Sequence, residues 1–189
     1  LAQAIAAKTI AMFDRKYNPD EMFVCGLLSH MGELAFASLF PHEYGSIIRD
    51  QPPREERIDL ERTLLGIDSS ELTTELFLDW GLPAPYAIAA GSHEDLNANI
   101  LDELNTKRVA ELLHISYQIA LLCNGIKVSR REFKTFEKMI QKLNCMNVNF
   151  STIFDAIVSL WHEWGVTFKI KTKQCSRYDE IKASIIENY

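Results

Sequence analysis

The sequence predicts an all-α protein, a compact bundle of several helices. Three observations carry this. Apolar residues recur at three- and four-residue spacing through most of the chain, and no segment sustains the alternation of a strand. The breaks carry Pro, Gly, Asn and Asp where helices start and stop. At 189 residues, 47% hydrophobic and 24% charged, the chain can bury a sizeable core, which excludes wholesale disorder.

The elements follow in order. Residues 1–13 place Leu1, Ile5, Lys8 and Met12 at helical spacing among alanines, the strongest helix formers. Asn18-Pro19-Asp20 ends that helix and opens the next, with Pro19 suited to the first helical position and Asp20 and Glu21 to the positive end of the dipole. A helix over 21–39 puts Phe23, Leu27, Leu28, Leu34 and Phe36 on apolar faces. After the loop Gln51-Pro52-Pro53-Arg54, a helix over 55–65 presents Ile58, Leu60, Leu64 and Leu65, and Gly66 closes it.

Asp68 and Glu71 have the spacing of a capping box. The helix they open carries Leu72, Leu76, Phe77 and Trp80 as far as Gly81-Leu82-Pro83. A short Ala-rich helix over 85–92 leads to His93-Glu94-Asp95, expected at an exposed helix end, and to a polar loop with Asn97, Asn99 and Asn105. Residues 107–123 set Val109, Leu112, Leu113, Ser116, Ala120 and Cys123 on one face with His114, Tyr117 and Leu121 beside it, a largely buried helix. Helices over 130–143 and 151–164 follow; the stripe Ile153, Ile157, Leu160, Trp161 and Trp164 reads as core rather than a cofactor box. The last stretch, 168–189, becomes helical over 179–186.

Composition narrows the function. A net charge of −6 gives no general attraction to nucleic acid or anionic lipid. Lys127, Arg130, Arg131, Lys134 and Lys138 read as a solvated helix face. No Gly-x-Gly-x-x-Gly or Walker loop is present to cradle a nucleotide. No apolar run approaches the roughly 20 residues that cross a bilayer, and no signal peptide opens the chain. Cys25, Cys123, Cys145 and Cys175 lack metal-site or redox-motif spacing, so all are read as reduced and the compartment as cytoplasmic. The chain starts without Met in mid-helix pattern, and further N-terminal helices are expected.

Three blocks in order resemble the HDOD family, the HD-related output domain of bacterial signalling proteins. Phe23-Val24-Cys25-Gly26-Leu27-Leu28-Ser29-His30-Met31-Gly32 is similar to the family's Phe-x-x-Gly-Leu-Leu-His-Asp-Ile-Gly. Glu61 followed by Leu64-Leu65-Gly66-Ile67-Asp68-Ser69-Ser70-Glu71 is similar to its Glu and Leu-x-Gly-x-Asp-His-x-Glu. Trp80-Gly81-Leu82-Pro83 followed by His93-Glu94 is similar to a Trp-x-Leu-Pro block leading into a His-His pair. The resemblance spans residues 1–170, with 171–189 read as a linker or the start of a following segment. It implies a bundle of the HD-domain type and a regulatory module related to metal phosphohydrolases.

The departures fall on the positions that hold metal in the hydrolases. Ser29 stands for the His and His30 for the Asp of the signature pair; Ser69 stands for another His, Glu94 for a second His after His93, and Ser116-Tyr117 for Ala-Asp. A hydrolytic metal needs several strong ligands converging to make a nucleophile of bound water. The resemblance therefore implies no catalytic residue and no cofactor, with Ser29, His30, Asp68, Ser69, Glu71, His93, Glu94 and Tyr117 lining a vestigial site or ligand pocket. No metal is expected; if one binds, His30, His93 and Asp68 or Glu94 are its ligands. Cys25 and His30, five residues apart, do not share a helix face as a nucleophile pair would.

Three functions remain: a non-catalytic module that binds a signalling protein or fused signalling domain, a metal-dependent phosphohydrolase with an altered ligand set, and a small-molecule sensor using a cleft left by Ser29, Ser69 and Ser92. Neither nucleic acid nor membrane is an expected partner, and a homo-oligomer is compatible with the sequence.

Overall fold

The structure is a computed structural model that describes residues 1–96, 104–142 and 149–187. Asn97, Asn99 and Cys145 lie outside the described residues. Among those described, eleven helices and no strand are present: α1 (Ala2–Asp14), α2 (Pro19–Leu28), α3 (Met31–Leu39), α4 (Pro41–Ile48), α5 (Arg54–Leu65), α6 (Ser69–Asp79), α7 (Ala84–Gly91), α8 (Leu104–Cys123), α9 (Arg130–Lys142), α10 (Phe150–Phe168) and α11 (Tyr178–Glu187). The all-α expectation holds. The chain divides into two compact units, one of Leu1–Leu27 with Glu111–Tyr189 and one of Leu28–Ala110.

The first unit is built on α1, which packs against α10. Ala4, Ala6, Ala7, Ile10 and Ala11 are buried, and alanine's small side chain lets a neighbouring backbone close in from several sides. Met12, placed on the apolar face by periodicity alone, is exposed, whereas Ile5 is buried as expected; the alanines and the two isoleucines, Ile5 and Ile10, form the packing surface. An aromatic cluster joins α9, α10 and α11: Tyr178 lies 5.0 Å from Phe150, 5.5 Å from Phe154 and 6.1 Å from Phe133 between ring centroids. Trp161 is core, as expected, whereas Leu160 is exposed and Trp164 is half-buried against Phe23 and Phe168. Lys127, Arg131, Lys134 and Lys138 are exposed, in keeping with a solvated face, with Arg130 half-buried.

The second unit holds α3 to α7. Phe36, Tyr44 and Ile47 form its apolar centre, with Leu60, Leu65, Ile67 and Leu72 packed against it. α6 contacts both α3 and α7. The approach of α3 depends on Gly32: a Cβ there would sit 2.0 Å from the Ser69 carbonyl oxygen. The Gly32 N–H donates to Thr73 Oγ1 at 3.0 Å, and that hydroxyl donates to the Ser69 carbonyl at 2.8 Å, so the contact is hydrogen-bonded as well as close. Gly91 does the same for α7, where a Cβ would meet Thr74 Oγ1 at 2.1 Å.

Two helices differ from the periodicity. The helix expected over 21–39 is two, α2 and α3, separated by a turn at Ser29-His30. The turn re-aims the chain so that Gly32 reaches α6, and it leaves Leu27 and Leu34 exposed. Against the expectation that no apolar run approaches a membrane-spanning length, the stretch Pro19–Leu39 is long and apolar enough, at a mean hydropathy of 1.4, to pass as a span by length and composition. On α5, Leu64 is exposed and Glu61 is the buried residue. The inward stripe of α5 is Arg54, Arg57, Ile58, Glu61 and Leu65, a charged row at core spacing.

Candidate functional site

The site lies within the second unit and starts at the turn between α2 and α3. Ser29 is buried there, and His30 takes the N-cap position of α3 with φ −107° and ψ 24°. Its Nδ1 faces Glu33 Oε1 at 3.5 Å, one turn along α3. Across from it, Ser92, His93 and Glu94 form the turn that follows α7. The exposed helix end expected for His93 and Glu94 is not found: His93 is 3% exposed and the Glu94 side chain 9%. Two arginines of α5 draw this turn inward, with Arg57 Nη2 at 2.8 Å and Arg54 Nε at 3.1 Å from Glu94 Oε2.

The His30 and His93 rings meet edge to face, centroids 4.9 Å apart and planes at 88°. His93 Nδ1 lies 2.6 Å from the Ala90 carbonyl oxygen. A carbonyl only accepts, so Nδ1 carries the proton in this pair. One ligand-type atom from each of His30, His93 and Glu94 lies within 4.8 Å of the others.

Arg57 is the hub of the surrounding charge. Besides Glu94 it contacts Glu33 at 3.0 Å and faces Glu61 at 3.8 Å. Burial opposes its charge, but Glu94, Glu33 and Glu61 outweigh burial and hold the guanidinium above its ordinary value. Burial also opposes the charge of Glu33; the His30 hydrogen bond and the cationic neighbours win, and its carboxyl sits below the usual range. Glu61 goes the other way. It is fully buried, and desolvation raises it although Ser69 N–H donates to its Oε2 at 2.8 Å and Arg57 stands nearby. Burial likewise pushes the neighbouring Tyr44 phenol up.

The remaining candidates have structural work. Asp68 is the N-cap of α6: its Oδ1 accepts from the Ser70 and Glu71 N–H groups at 2.8 and 2.9 Å, and its Oδ2 pairs with Arg62 at 2.7 Å. The acceptor half of the predicted capping box is thus present, while the Glu71 carboxylate is exposed and goes to Arg62 at 2.9 Å. Ser69 is buried against Glu61 instead of lining a cleft. A cleft of about 400 Å³ does open beside these residues, lined by Arg54, Asp68, Ser70, Glu71, Ser92 and Asp95 among others. Tyr117 belongs to α8 in the other unit, half-buried, next to Ser116, whose hydroxyl donates to the Leu112 carbonyl at 2.8 Å.

Sequence reasoning missed Glu33, Arg54 and Arg57 as site residues and quoted Glu61 only as part of a motif. The available signal was their spacing: Arg54, Arg57 and Glu61 fall on the stripe that also carries Ile58 and Leu65. Charge at core spacing is buried where it is paired, as it is here.

An all-helical domain with a histidine-bearing junction between two helices and a second histidine after a short helix is a domain of the HD-related class. The chain belongs to the HDOD domain family, whose pattern matches residues 1–96. Its structure is similar to that of the MmoQ response regulator of Methylococcus capsulatus str. Bath, at 30% identity and TM-score 0.63 over 76% of this chain and 58% of that one. A fragment of MmoQ, residues 20–298, gives 33% identity and TM-score 0.59 over 72% and 54%. A Shewanella amazonensis protein provisionally named a phosphohydrolase shares the fold, at 21% identity and TM-score 0.61 over 84% and 56%. The chain spans little more than half the length of each of these proteins. Comparison with curated proteins gives no match.

Proposed function

We propose that this chain is a non-catalytic regulatory module of bacterial signalling, acting in the cytoplasm by binding a partner protein, a fused signalling domain or a small ligand. The observation that carries the reading is the fate of the second motif block. Asp68 caps α6 and pairs with Arg62, and Ser69 serves Glu61, so neither is directed to the histidine pair. With Ser29 a buried hydroxyl at the first block, the motif positions that bring ligand-type atoms together among the described residues reduce to His30, His93 and Glu94, without the carboxylate of Asp68. The likeness to a protein named a response regulator supports the signalling context.

The test is turnover. The purified chain, with Mn²⁺, Fe²⁺ or Ni²⁺ added, is assayed on phosphomonoesters, nucleotides and cyclic dinucleotides. The expected rate is that of the protein-free blank. A metal-dependent rate removed by His30→Ala establishes the alternative, a phosphohydrolase with an altered ligand set, for which the approach of His30, His93 and Glu94 speaks.

A further inference from the structure

We propose that His30, His93 and Glu94 form a binding site for one divalent transition-metal ion of the zinc class, and that the ion is a regulatory ligand of the module. The regulatory half of this inference rests on the non-catalytic reading; the binding half does not. Two imidazoles and one carboxylate are a donor set that suits zinc and its neighbours. Magnesium and calcium, which need several oxygens, find only one carboxylate in the trio.

Three independent features point the same way. The first is orientation of the rings. His93 is held through Nδ1 on the Ala90 carbonyl and His30 through Nδ1 towards the Glu33 carboxylate. Both rings are thus oriented by an outer partner, as metal-ligating histidines are. Glu33 is in turn fixed by Arg57 at 3.0 Å, so the support is itself supported. The second is the carboxylate. Both arginines engage Glu94 Oε2, and none of these contacts uses Oε1, which is left for an ion. The third is charge. Among the described ion pairs, Glu33, Glu94 and Asp95 meet Arg54 and Arg57, a carboxylate-rich cluster that a dication would suit.

The trio spans up to 4.8 Å, and ligands bound at about 2.0–2.1 Å in a tetrahedral site stand about 3.4 Å apart. Closing that gap requires a shift of roughly an ångström, the scale of a side-chain rotation. His30 has room to supply it: its side chain is 36% exposed and sits at a helix junction.

The test is a competition titration of chelator-stripped protein with Zn²⁺ against a chromogenic chelator, with Co²⁺ absorption as a second readout. One ion per chain is expected, with a visible Co²⁺ spectrum. His30→Ala, His93→Ala and Glu94→Gln should each weaken binding at least tenfold and alter or abolish the Co²⁺ bands. His162→Ala, in the other unit, should leave both unchanged. Circular dichroism checks folding; if His93→Ala fails to fold, the half-exposed His30→Ala decides. Absence of one-ion binding, or a His30→Ala protein that binds as tightly as the parent, overturns the site. Binding without turnover upholds both readings. Binding with turnover upholds the site and overturns its regulatory role, while no binding and no turnover removes the site and leaves the non-catalytic reading standing.

Discussion

Arg57→Ala is the substitution with the largest expected effect on the second unit. The guanidinium is 18% exposed and serves three carboxylates: Glu94 at 2.8 Å, Glu33 at 3.0 Å and Glu61 at 3.8 Å. Removing one partner from a buried ion pair costs about 3–5 kcal/mol, because the other charge is left without compensation. Here Glu94 keeps Arg54 at 3.1 Å, Glu61 keeps the Ser69 N–H at 2.8 Å, and Glu33, 29% exposed, can recover water. These place the loss at the low end, about 3 kcal/mol. Urea unfolding followed by far-UV circular dichroism at neutral pH reads it from the midpoint at constant slope. Arg57→Lys should recover less than half, since one ammonium cannot fork between carboxylates on different helices. A loss for Arg57→Ala below about 0.5 kcal/mol, the range of exposed pairs, would refute the claim that this network is an internal brace.

Three further outcomes are expected. Asp68→Ala removes the α6 cap and the Arg62 pair and should cost about 1–2 kcal/mol, with Asp68→Asn retaining most of the cap; equal stability of all three proteins contradicts the assignment. Gly32→Ala drives a methyl to 2.0 Å from the Ser69 carbonyl, where only backbone can yield, and should cost about 3 kcal/mol or more, read by thermal melting. Because burial holds the Glu61 carboxyl above its ordinary 4.5, its contribution to stability is full below the unfolded value and is lost as pH rises through the folded one. Glu61→Gln keeps an acceptor for Ser69, so its stability relative to the parent should rise from pH 4 to pH 8; a relative stability that falls over that range refutes the direction.

The helices were legible because their signals are local. Pro19, Gly66 and the Asp68 cap mark boundaries by chemistry that acts within one turn. Periodicity runs straight through the Ser29-His30 break, since nothing in its local sequence forbids a helix, and only the motif resemblance marks a junction there; the break lets Gly32 meet Ser69, thirty-seven positions on. Leu64 and Leu34 were misplaced for the same reason: periodicity finds a stripe but does not say which neighbour covers it. At the site, the motif frame located His30 and His93, and the structure brings them together. Motif matching assigned Asp68 and Ser69 to the same pocket; Ser69 is buried against Glu61, while Asp68 caps α6 and lines the cleft beside it.

Glu94 shows why the charged stripe of α5 matters to function and not only to stability. A carboxylate standing where a relative of this family carries histidine would be costly to bury alone. Arg54 and Arg57 make the burial tolerable, and in doing so they tie the turn after α7 to α5 and, through Glu33, to α3. An ion drawing on Glu94 would weaken that carboxylate's hold on Arg57 and strengthen the claim of Glu33 and Glu61 on the same guanidinium. The local event would then be felt on α3 and α5 through one side chain. Arg57→Lys tests this coupling separately from binding: it leaves the three ligands in place, so Zn²⁺ should still bind, but the rise in melting temperature on binding should differ from the parent's.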